Sequence, residues 1–208
     1  MPPLPTAQQL VVEVAAPPDG MPRRPTAGGT FTTGRRGDRT EPGSRAAVLR
    51  PEPGTETVMD EKALYSERHA IVGDDFEHGG EAAARIKATM KEFGIDPGAI
   101  RRLSIANFEA EMNVIMYADS GELVFSVTPE AASVVVSDRG PGIPDVGLAM
   151  QEGYSTATAE MRARGFGAGM GLPNIRRSTD WFSIESTPGV GTTLRYGVRI
   201  GESQGGNK

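Results

Sequence analysis

The sequence contains no cysteine. That absence excludes a disulfide framework, cysteine-ligated zinc, iron-sulfur clusters and a thiol nucleophile, and it makes a reducing cytoplasm a comfortable setting. No apolar run approaches the roughly 20 residues that span a bilayer. Met1-Pro2-Pro3-Leu4-Pro5 also lacks the basic region and apolar core of a secretory signal, so a soluble cytoplasmic protein without membrane contact is expected. An excess of basic charge is missing too: the formal net charge is -5, which argues against direct binding of nucleic acid. The 208 residues suit one medium core plus a tail.

Lysine is absent from residues 1–58, which hold ten of the sixteen prolines, seven arginines and six acids around one brief apolar stretch, Leu10-Val11-Val12. Such a segment buries too little apolar surface to offset its ordering entropy, so 1–58 reads as a disordered extension. Globular composition begins at Met59-Asp60-Glu61-Lys62-Ala63, and Met59 is therefore a candidate natural start. Intact-mass detection of Met1 on the native protein would exclude it. The domain is expected over 59–201, followed by a flexible tail, 202–208.

Within the domain, Tyr65 to Val72 reads as an edge strand. A helix over Glu81 to Phe93 places Ala82, Ile86, Met90 and Phe93 on one face and stops at Gly94. Asp96-Pro97 is a cap and first residue for a second helix, running to about Ala118 with Gly121 as the break. Strands are expected over Leu123 to Pro129 and Ser133 to Ser137, short helical turns over Val146 to Glu152, and a helix over Pro173 to Trp181. Closing strands, Phe182 to Ser186 and Thr192 to Ile200, flank the turn Thr187-Pro188-Gly189-Val190-Gly191. The order predicts an α+β two-layer sandwich, a mainly antiparallel mixed sheet with helices on one face.

Two glycine-rich words organise this domain. Asp138-Arg139-Gly140-Pro141-Gly142 follows the apolar run Val134-Val135-Val136, and Gly165-Phe166-Gly167-Ala168-Gly169-Met170-Gly171-Leu172 opens a helix. Together they read as a nucleotide pocket with a base end and a phosphate end. A Walker loop is excluded because no lysine lies near residues 165–172. A dinucleotide fingerprint fails as well: the third glycine position falls on Met170 or Leu172, and polar Met161-Arg162-Ala163-Arg164 precedes the cluster instead of a buried strand. Upstream, Glu109 and Asn113 are four apart on one helix face. Taken singly, Glu109 and Asn113 also suit a solvated helix face, Asp138 a turn cap, and the second cluster a flexible loop.

As a series, Glu109 with Asn113, Asp138-x-Gly140-x-Gly142, Gly165 to Gly171, and Gly191-Thr192-Thr193 resemble the ordered boxes of the Bergerat-fold (GHKL) ATPases. Asp-Arg-Gly-Pro-Gly-Ile-Pro-Asp, Gly153-Tyr154-Ser155-Thr156 and Gly-Ala-Gly-x-Gly-Leu-Pro are most similar to the small serine/threonine kinases of bacterial partner-switching systems. His69 and His78 are the sole histidines, and neither opens a histidine-kinase phosphoacceptor helix.

The resemblance implies ATP with Mg²⁺, and roles for particular residues. Asp138 would accept the adenine amino hydrogen, Gly140 and Gly142 would let the backbone approach the base, and Thr193 would support that end. Asn113 would be the Mg²⁺ ligand, and Glu109 the group that orients or deprotonates an attacking hydroxyl. Backbone amides around Gly167, Gly169, Met170, Gly171 and Leu172 would hold phosphates. The implied substrate is a STAS-type anti-sigma-antagonist protein. A sigma factor is a further candidate partner and a homodimer a candidate assembly. The alternative is a nucleotide-gated anti-sigma factor that acts by binding with little or no transfer. One departure concerns the arginine that some of these kinases carry just ahead of the last Gly-x-Gly: Gly167 stands there, leaving the terminal phosphate to Arg162 or Arg164, or leaving transfer weak. The polar segment Gly153 to Arg164 is expected to act as a nucleotide-dependent lid, which equal protease sensitivity with and without Mg-ATP would exclude.

Overall fold

The computed structural model describes residues 10–13, 47–49 and 63–200. Within them the chain runs β1 (Leu10–Glu13), β2 (Ala47–Leu49), β3 (Tyr65–Val72), α1 (Glu81–Glu92), α2 (Pro97–Tyr117), β4 (Ser120–Val127), β5 (Ala131–Asp138), α3 (Val146–Ala149), α4 (Ala159–Ala163), α5 (Gly171–Arg177), β6 (Trp181–Thr187) and β7 (Gly191–Arg199). These strands form a seven-stranded sheet, ordered β1-β3-β4-β5-β7-β6-β2. Among the described residues, only β1 on β3 is parallel, and every other pairing is antiparallel. This is the expected α+β class with a mixed, mainly antiparallel sheet.

Side-chain alternation makes the layers. Leu123, Phe125 and Val127 of β4, Val134 and Val136 of β5, and Leu194, Tyr196 and Val198 of β7 are buried against α2. Phe125, Val134, Tyr196 and Phe182 stand in one row across four strands. Fully burying a side chain of this size stabilises the fold by about 1.5–3 kcal/mol. The other face carries polar pairs such as Ser66 with Ser126, Arg68 with Glu122, and Ser137 with Thr193.

Helix α2 starts where the sequence predicts: the Asp96 side chain accepts from Ala99 N at 3.0 Å and Pro97 is the first helical residue. Its buried side contains two polar groups. Asn107 Oδ1 accepts from Tyr196 Oη at 3.0 Å, joining helix to sheet. The Glu111 carboxylate accepts from Gly80 N at 3.1 Å, Ala82 N at 3.1 Å and Ala83 N at 2.9 Å. Helix α1 has no capping side chain of its own at Gly80, so a carboxylate from α2 caps it.

Several expected boundaries are corrected. Gly121 is not a break but lies inside β4, where an added Cβ would meet Val114 Cγ1 at 2.7 Å; glycine lets the strand pass close beneath α2. The turn is made instead by Ala118, which is extended at the C-terminus of α2. The helix expected over 173–181 spans Gly171–Arg177, and Trp181 already begins β6. The strand over Tyr65–Val72 is not at the edge, because β1 pairs outside it. Gly153 to Arg164 contains α4, capped by Thr158 Oγ1 accepting from Met161 N at 3.2 Å. The stretch expected to be disordered contributes β1 and β2. The rest of that expectation, the Met59 start and the 202–208 tail lie outside the described residues.

Candidate nucleotide site

A cavity of about 630 Å³ opens between α2, the loop after β5, residues 154–172 and the start of β7. Its walls include Val136, Ile143, Leu172 and Leu194, and its polar groups include Glu109, Asn113, Asp138 and Thr192. Among the described residues no arginine or lysine lines it, while Glu109, Asp138 and Asp145 do.

Asp138 is the last residue of β5, so the strand itself carries its carboxylate to the cavity. Oδ1 accepts from Gly140 N at 2.9 Å and from Thr192 N at 3.1 Å. Burial pushes the carboxyl above the ordinary aspartate range, against the opposing pull of the Thr192 and Gly140 amides and the Thr192 hydroxyl. A half-buried acceptor beside Val136 and Leu194 suits a flat apolar ring that carries an N–H donor.

The loop after Asp138 is fastened to the β6–β7 turn. Ile143 N donates to Ser186 Oγ at 2.7 Å, and Gly189 N donates to the Pro141 carbonyl at 2.8 Å. Gly142 sits at φ 68°, and a Cβ there would lie 2.3 Å from the Thr187 carbonyl oxygen. Gly142 lines the cavity, and both Gly140 and Gly142 also serve the packing of the loop itself. The space a Cβ would enter is occupied by Ala118 at Gly140 and by the Thr187 backbone at Gly142, so these glycines permit loop packing.

At the other end, Glu109 and Asn113 line the cavity from α2. Gly171 is pressed against them: an added Cβ would lie 3.1 Å from Asn113 Oδ1 and 3.5 Å from Glu109 Oε2. Glu109 Oε1 accepts from Asn174 Nδ2 at 2.7 Å. Gly167, Gly169, Met170 and Leu172 line the same cavity. Gly169, at φ 72°, leaves no room for a Cβ, which would lie 2.5 Å from the Gly153 carbonyl carbon and from the Tyr154 oxygen, and its carbonyl accepts from Gly153 N at 3.0 Å. The Met170 side chain makes no capping bond at the start of α5.

Two sequence expectations change here. Thr193 does not support the Asp138 end: alternation along β7 turns it to the opposite face, where its hydroxyl meets Ser137 Oγ at 3.3 Å. Thr192 occupies that role, and the buried series Leu194, Tyr196, Val198 signalled its face. Arg162 and Arg164 do not line the cavity. The Arg164 guanidinium instead lies over the Phe76 ring, 4.9 Å from its centroid, and Phe76 packs on Phe166 at 5.9 Å. Asn174 was also missed, and no local pattern marked it. Among the described residues, no helix is long and apolar enough to cross a membrane, and no group of three or more His, Cys, Asp or Glu could hold a metal by itself.

This geometry agrees with what the chain resembles. The family model "Histidine kinase-, DNA gyrase B-, and HSP90-like ATPase" matches residues 98–202, which contain every residue described at the cavity. The chain is 32% identical over 109 residues to "Serine/threonine-protein kinase RsbT" of Bacillus subtilis, covering 50% of this chain and 76% of that one. It is 31% identical over 127 residues to "Anti-sigma F factor" of Caldanaerobacter subterraneus, and 29% identical to the protein of that name from Thermoanaerobacter sp.; each match covers 59% of this chain and 80% of the relative. The chain therefore belongs to the histidine kinase-, DNA gyrase B- and HSP90-like ATPase family.

Proposed function

We propose that this chain is an ATP- and Mg²⁺-dependent protein serine/threonine kinase of a cytoplasmic partner-switching system. It phosphorylates a STAS-type antagonist protein and thereby regulates sigma-factor-dependent transcription. The observation that carries the reading is the placement of Glu109 and Asn113 side by side against Gly171, across one cavity from Asp138. The likeness to a serine/threonine kinase supports it. Asp138 holds the adenine amino group, and amides from Gly167 to Leu172 hold phosphates. ATP supplies the phosphoryl group: the acceptor oxygen bonds the terminal phosphorus, the bond to the departing ADP oxygen breaks, and Glu109 takes the hydroxyl proton. The cavity's carboxylates and its lining without cationic side chains among the described residues suit a nucleotide brought with Mg²⁺. Asn113 offers such an ion one neutral oxygen, and phosphates and water would complete its ligands. Residues 59–201 form the catalytic unit, and Gly153 to Arg164 is the lid.

Glu109→Gln is expected to lower transfer to a STAS partner about a hundred- to ten-thousandfold while ATP affinity stays within a few-fold of wild type. Unchanged transfer would overturn the role of Glu109. A second reading, a nucleotide-gated anti-sigma factor, is favoured by the lack of an arginine among the described residues lining the cavity and by the likeness to anti-sigma F factors. Under it, sigma-factor binding survives Glu109→Gln and still depends on the nucleotide.

A further inference from the structure

The acceptor for Asn174's amide lies on α2, but the chain of contacts does not stop there. Asn174 Nδ2 donates to Glu109 Oε1 at 2.7 Å, and Asn174 Oδ1 accepts from Arg177 Nη2 at 2.6 Å. The other end of that guanidinium, Nη1, pairs with the Glu152 carboxylate, immediately before the Gly153 to Arg164 segment. Each polar end of the Asn174 amide thus has one partner, and only one orientation satisfies both. Flipping the amide would set its oxygen against the Glu109 carboxylate and its NH₂ against the arginine. Residues 174 and 177 are three apart on α5, which places both side chains on one helix face.

We infer that Asn174 is a positioning residue for Glu109, held in register by the Arg177–Glu152 pair, so that the root of the lid segment and the carboxylate beside the reacting end share one hydrogen-bonded chain. The inference rests on the kinase reading for its consequence, though not for its geometry. A freely rotating Glu109 has several rotamers, whereas one fixed by a charge-assisted bond presents its second oxygen, Oε2, toward Gly171 and the cavity. An aspartate in place of Asn174 would put two acceptors face to face and repel Glu109 from this rotamer.

The test is a crystal structure of the full chain for each variant, read for the Glu109 rotamer, together with steady-state transfer to a STAS partner. Asn174→Leu and Asn174→Asp are expected to turn the Glu109 carboxylate away from its place beside Gly171 and to lower kcat about tenfold with KM for ATP within about twofold. In a Glu109→Gln background, Asn174→Leu is expected to change kcat by less than about twofold, which loss of packing alone would not produce. Arg177→Met is expected to lower kcat in the same direction by a smaller factor. A wild-type Glu109 rotamer in both Asn174 variants would overturn the assignment, and a wild-type rotamer and kcat in Arg177→Met would remove the Glu152 link. If the wild type transfers phosphate to no STAS partner, the kinase reading falls, while the Glu109 rotamers still decide whether Asn174 positions it. Far-ultraviolet circular dichroism checks that each variant is folded.

Discussion

Burial of the Asp138 carboxylate costs the unliganded fold stability at neutral pH. The carboxyl is held above the ordinary range by burial, so ionisation is disfavoured in the folded, unliganded protein. The stability associated with the neutral group is fully present below the ordinary aspartate pKa of about 4 and is lost as pH rises through the higher folded-state value. The substitution Asp138→Asn keeps an oxygen for the Gly140 and Thr192 amides without the buried charge. The variant is expected to match or exceed wild-type urea stability at pH 7 and lose that advantage below about pH 4. Its nucleotide affinity should fall about 10- to 100-fold by calorimetry. Thr192→Val should weaken nucleotide binding, whereas Thr193→Val should leave it unchanged, because only Thr192 shares a face with the pocket. The distinction was legible in the sequence, since strict alternation from Leu194 to Val198 fixes the facing of Thr192. The error at Thr193 came from giving the motif more weight than the strand period.

Among the elements, α2 has two tasks on two faces. One face presents Glu109 and Asn113 to the cavity, and the buried side sends Glu111 to the first turn of α1. Glu111→Ala would leave three amides without that acceptor, and is expected to cost about 2–4 kcal/mol in denaturant unfolding. Sequence reasoning placed α2 well, because Asp96-Pro97 is an unambiguous start and the helix is long. It could not find the Glu111 cap, because helix–helix partners 28 to 31 residues apart leave no local pattern. The boundaries of β4 and α5 were missed for a related reason: glycine reads as punctuation, yet Gly121 and Gly171 serve close approach to Val114 and Asn113.

For the whole molecule, helix layer and sheet are tied together through Asp180, which precedes β6. Arg102 on α2 binds it by two contacts, 2.5 and 3.1 Å, and Arg199 N adds a third at 2.8 Å. The Arg102 guanidinium keeps the Asp180 carboxyl below its usual range. Its stabilisation is therefore present above the ordinary carboxylate pKa, about 4, and is lost as pH falls through the lower folded-state value. Arg102→Met is expected to lower the urea midpoint at pH 7, with the gap to wild type closing as the pH falls below the ordinary carboxylate range. The layer arrangement was readable from the order of elements, because each strand and helix carries its own period. The pairing of β1 and β2 at the two edges was not, since four and three residues give too short a period to recognise.

The fastening of the Asp138 loop to the β6–β7 turn has a kinetic meaning. One half of the cavity is built before a nucleotide arrives, from sheet amides and the Ser186 bridge, while the half around Gly169 rests on loop contacts to Gly153 and Tyr154. Under the proposed function this half takes the adenine and is already ordered when ADP or ATP arrives, so it treats the two alike. Any discrimination between them belongs to the second half and is expressed as residence time: Asp138→Asn should shorten the dwell of both nucleotides by one common factor, and Gly169→Ala should shorten mainly that of ATP.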